Sequence, residues 1–61
     1  MNRIKELYAE IFDNEGNVRA VGREKCKELI ILMNAHYGGK FGNEETGQMD
    51  VQKINNQLKA D

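Results

Sequence analysis

The chain has 61 residues, nine basic and ten acidic, with one histidine, one cysteine and no proline, and 31% of its residues are charged. A chain of this length holds one domain with a marginal core; lacking a disulfide framework and nearly lacking His and Cys ligands for a metal, it needs well-packed helices or association for stability. The balanced charge argues against a domain whose main task is holding a nucleic-acid backbone, because phosphate contacts demand a clear basic excess.

The start, Met1 to Leu7, has no uninterrupted apolar core of the signal-peptide kind, and the longest apolar run, Leu29 to Met33, is far below the ~20 residues that cross a bilayer. A cytoplasmic protein without membrane contact is expected. Cys26 reads as a buried thiol in a reducing compartment.

From residue 2 to 12 the apolar positions Ile4, Leu7, Tyr8, Ile11 and Phe12 follow the i, i+3, i+4, i+7, i+8 spacing of one helical face, which predicts a helix. Asp13-Asn14-Glu15-Gly16-Asn17 ends it, since Gly and Asn accept the left-handed conformation and Asp and Asn side chains satisfy loop amides. The second helix starts either at Val18, capped by Asn17, or at Arg23 after Gly22, and runs to Tyr37, where Gly38-Gly39 stops it. Residues 38–48 read as a mobile, glycine-rich connection carrying one aromatic, Phe41. A third helix over 50–60 follows, capped by Asp50, with Met49 set to touch Ile54 and a narrow apolar stripe of Val51, Ile54 and Leu58. The expected fold is all-α: one domain over 1–61, a hairpin of two longer antiparallel helices with the short third helix at its edge. No internal repeat is visible.

On a helical wheel, Val18, Gly22, Cys26, Leu29, Ile30, Met33, His36 and Tyr37 share one broad face, the seat for the other two helices. Ile31 does not belong to it. It falls in the sector of Glu24, Lys27, Glu28 and Ala35, while Leu32 sits on the flank beside Val21 and Lys25. Burying such a side chain is worth roughly 1.5–3 kcal/mol, a large share of the ~3–5 kcal/mol that a core this small supplies. A protein interface built on Ile31, Leu32 and Ala35, with Val21 and Glu28 at its margin, is the expectation. Ala35, one turn beyond Ile31, leaves room for close approach.

No chemistry stands beside it. Cys26 and His36 are ten residues apart on one helix, about 15 Å along the axis, and the chain has no serine. His36 reads as a partner of the helix C-terminus or a half-buried core residue. Asp13 to Asn17, with Glu24 at the twelfth position, resembles the opening of an EF-hand calcium loop, but Val18 stands at the sixth position, where the sharp turn requires Gly, and Ala20 at the eighth. A second frame with Gly47 and Met49 at those positions has Lys53 in place of the bidentate glutamate. Neither calcium nor any other cofactor is expected, and no small-molecule substrate is indicated.

The expected function is therefore that of a non-enzymatic interaction module, a small regulator or inhibitor that binds a larger protein and self-associates as a homodimer through its second helix. The alternative is a helix-turn-helix-type DNA-binding regulator with the 50–60 helix as reader, Gln52, Asn55, Asn56 and Lys59 facing base edges and Lys40 assisting. Its weakness is the connection from Tyr37 to Asp50, much longer than the usual three- or four-residue turn.

Overall fold

The computed structural model describes residues 2–60. Three helices follow one another: α1, Asn2–Ile11; α2, Arg23–Tyr37; and α3, Val51–Ala60. Among the described residues there is no strand, only two isolated antiparallel bridges, Phe12 with Val18 and Gly42 with Met49. The all-α hairpin is present. The antiparallel run of α1 and α2 is visible in the two ion pairs joining them, Arg3 with Glu28 near the start of α1 and Glu10 with Lys25 near its end.

The core is the apolar face that the spacing of each helix dictates. Ile4, Leu7 and Ile11 of α1, Leu29, Ile30 and Met33 of α2, and Ile54 of α3 are fully buried, with Phe12, Cys26 and Phe41 nearly so. Val51 and Leu58 of α3, with Met49 before it, pack partly buried against this cluster, so α3 closes the edge of the hairpin. Burial raises the pKa of the Cys26 thiol, which disfavours its thiolate.

The second helix begins at Arg23, after Gly22 in extended conformation, and its first turn takes no side-chain cap. Residues 18–22 are not helical: Asn17 closes a turn instead, and Arg19 N–H donates to the Ile11 carbonyl at 2.7 Å. The core face is consequently narrower than the wheel suggests, with Val18, Gly22 and His36 all exposed. His36 packs edge-on to the Tyr37 ring, centroids 4.7 Å apart. Gly38 caps α2 in the left-handed conformation, its N–H donating to the Asn34 carbonyl at 3.1 Å.

The two connections are hairpins of one design, a repetition that the sequence hides. Asp13 Oδ1 accepts the amides of Glu15 and Asn17, each at 2.9 Å, and Asn43 Oδ1 accepts those of Glu45 and Thr46 at 2.8 and 3.1 Å. Each turn then closes on its bridge, Asp50 N–H reaching the Phe41 carbonyl at 2.8 Å in the second. Residues 38–48 are thus built into the fold rather than strung loosely between helices: Phe41 is buried, and its N–H donates to Asn34 Oδ1 at 2.7 Å. Gly42 is obligatory there, because a Cβ would lie 2.6 Å from the Gln48 carbonyl oxygen and 2.8 Å from Ile30 Cδ1. Asp50 caps α3 from just outside it, Oδ1 accepting Lys53 N–H at 3.2 Å.

Candidate interaction surface

Ile31 is turned away from the core by its place on α2. It is 46% exposed, the larger of two such values among the large hydrophobics described, the other being Val18 at 42%. Leu32, one residue on, is half-buried against the core and shares a shallow groove of about 430 Å³ with Ile31. Arg3, Glu24, Lys25, Lys27 and Glu28 complete its lining. Ala35, one turn further, is exposed. Three of the five expected interface residues are therefore contiguous along α2.

The other two are placed differently. Val21 lies before α2, packs partly buried against the core, and lines a separate depression with Arg23, Thr46, Gly47 and Gln48. Glu28 is engaged within the chain: Arg3 Nε and Nη2 donate to its two carboxylate oxygens at 2.8 and 2.9 Å, a bidentate fork. Arg3 also reaches Glu6 at 3.1 Å. The hydrogen bonds from Arg3 lower the carboxyl pKa of Glu28, and those to Glu28 and Glu6 raise that of the guanidinium. Glu28 therefore borders the groove as a neutralised pair, which lowers the penalty for covering the apolar floor.

Of the residues of the DNA-reading alternative, Gln52, Asn56 and Lys59 share one exposed face of α3 at i, i+4, i+7 spacing, whereas Asn55 and Lys40 lie apart from it. Asn55 is turned inward, its Oδ1 accepting the Tyr8 hydroxyl and its Nδ2 donating to the Gly16 carbonyl at 2.9 Å, so its amide is spent on the fold. Gln52, Asn56 and Lys59 are exposed. Lys59 lies over the first hairpin, where its Nζ would be 3.0 Å from a Cβ on Gly16. Lys40 belongs to the second connection, and its carbonyl accepts Lys53 Nζ at 2.8 Å. Lys53 also stands 5.1 Å from the Phe41 ring centroid, a cation-π contact that ties α3 to that connection.

Sequence reasoning missed Asn34. Its Oδ1 takes the Phe41 amide, and its Nδ2 donates to Glu44 Oε2 at 2.8 Å, fixing a carboxylate alongside the C-terminal half of α2. Asn34 lies one turn before Gly38-Gly39, and nothing in the local sequence marks this role. Hydrogen bonds from the Asn17 amide, then that of Glu15, lower the Asp13 carboxyl pKa.

Among the described residues, no helix is long and apolar enough to cross a membrane. No known protein family, curated protein or solved structure matches the chain.

Proposed function

We propose that this chain is a non-enzymatic protein-interaction module that works through the outward face of α2 and self-associates there. The observation that carries the reading is Ile31, nearly half exposed beside Leu32 in an apolar groove although a 61-residue core would gain from enclosing it. Ala35 extends the face without filling it. The Arg3–Glu28 pair supplies a charged rim already satisfied within its own chain.

A helix of 15 residues is roughly 22 Å long and ~10 Å wide, so this face covers only a few hundred Å², below the ~800 Å² per partner of stable complexes. Self-association is accordingly weak and concentration-dependent. A larger protein presenting an apolar helix would compete for the same face, and regulation or inhibition by occupancy follows from that competition.

The test is light scattering coupled to size-exclusion chromatography at increasing loading. Wild type should approach twice its 7.0 kDa chain mass, and Ile31→Asp should stay at one. A wild type that remains at one chain mass up to its solubility limit contradicts self-association.

A further inference from the structure

Resting on that reading, we infer that the second copy packs antiparallel, with Ile31 at the two-fold axis and Lys27 of each copy paired with Glu44 of the other. The inference starts from how charge is distributed along α2. Glu24, Lys25, Lys27 and Glu28 crowd its first six residues, whereas Leu29 to Tyr37 contain no Asp, Glu, Lys or Arg. A parallel pair would set Glu24 against Glu24 and crowd the charged halves together. An antiparallel pair lays each charged half over the other's neutral half.

Register sharpens this. With the axis at Ile31, position 27 of one helix lies level with position 35 of the other, and position 28 with position 34. The small residues Ala35 and Gly38 then stand at the levels of the partner's positions 27 and 24, which lets the helices approach closely. Asn34 holds the Glu44 carboxylate beside position 34 through its 2.8 Å hydrogen bond, on the side of α2 that carries the second hairpin. Lys27 is on that same side: a Cβ on Gly47 of that hairpin would lie 3.3 Å from Lys27 Cγ. A two-fold axis lying in the interface and perpendicular to the helices reverses their direction but keeps like flanks together. Lys27 of each copy is thereby brought to the level of the other copy's Glu44, and the two ion pairs form symmetrically. On the opposite flank Leu32 meets Leu32. A parallel axis would instead set the Lys27 flank against the Arg3 flank.

Mixed charge reversal tests the arrangement between chains. Lys27→Glu alone places like charges at both contacts, as does Glu44→Lys alone, so each should weaken dimerisation about tenfold, the loss of two exposed ion pairs with repulsion in their place. Mixing the two variants restores both contacts, and the heterodimer should recover wild-type affinity. Circular dichroism of each variant verifies its helices, and Lys27→Glu leaves the Asn34–Glu44 bond untouched. An Ile31→Cys variant in a Cys26→Ala background should form an inter-chain disulfide whichever way the helices run. A disulfide at position 31 without heterodimer preference overturns the antiparallel register and leaves the proposed function standing. The absence of both overturns the two together.

Discussion

The hydroxyl of Tyr8 in α1 donates to the side-chain carbonyl of Asn55 in α3, whose amide nitrogen donates in turn to the Gly16 carbonyl. One polar side chain thus joins the first helix, the first hairpin and the last helix, in a protein whose third helix offers only a narrow apolar stripe. Asn55→Ala leaves the Tyr8 hydroxyl and the Gly16 carbonyl without this partner and should cost about 1–3 kcal/mol. Asn56→Ala, on the exposed side of the same helix, should cost under ~0.5 kcal/mol. Urea denaturation of the two variants, followed by circular dichroism, makes the comparison.

The helices were legible because their apolar spacing is strong: Ile4, Leu7 and Ile11, then Cys26, Leu29, Ile30 and Met33, are buried as periodicity requires. The two connections were not. Phe41 is a single aromatic among glycines, and nothing local states that Asn34, seven residues earlier, will take its amide. Asn55 looked like a reader of bases because an exposed and an inward amide are the same letter, and only the position of Tyr8, 47 residues away, decides between them. Ile31 was legible as an outward residue because a wheel needs only the helix to exist. The neutralisation of Glu28 by Arg3 depends on how α1 and α2 are docked, which periodicity does not specify.

Gly42→Ala tests whether the second hairpin is an integral part of the core. The added methyl meets a backbone carbonyl, the Ile30 side chain and Met49 Cα within 3 Å, and no flexible side chain alone relieves all three. The hairpin must open or shift, exposing Phe41, and the variant should lose a large part of the ~3–5 kcal/mol available to a core this small. Gly22→Ala has open space around its Cβ and should leave the thermal midpoint nearly unchanged.

Acid should loosen the α1–α2 contact. The Glu28 and Glu10 carboxyl pKa values are lowered first of all by hydrogen bonds from Arg3 and Lys25. A carboxyl whose folded pKa lies below its unfolded value contributes stability in full above the unfolded value and loses it as pH falls through the folded one. Stability should therefore decline from about pH 5 downward. The effect is modest because both pairs are half exposed and screened. Glu28→Gln should be less stable than wild type at neutral pH and converge with it in acid, as read from thermal midpoints over a pH series.

The central claim, that the outward face of α2 is where this protein meets its partner, is tested most directly by dilution of uniformly 15N-labelled protein followed by two-dimensional NMR. The account predicts concentration-dependent amide shifts confined to Lys27, Glu28, Ile31, Leu32 and Ala35 with the adjoining Glu44, and their disappearance in Ile31→Asp. Spectra unchanged across the series, or shifts clustered on Gln52, Asn56 and Lys59 of α3, would contradict it.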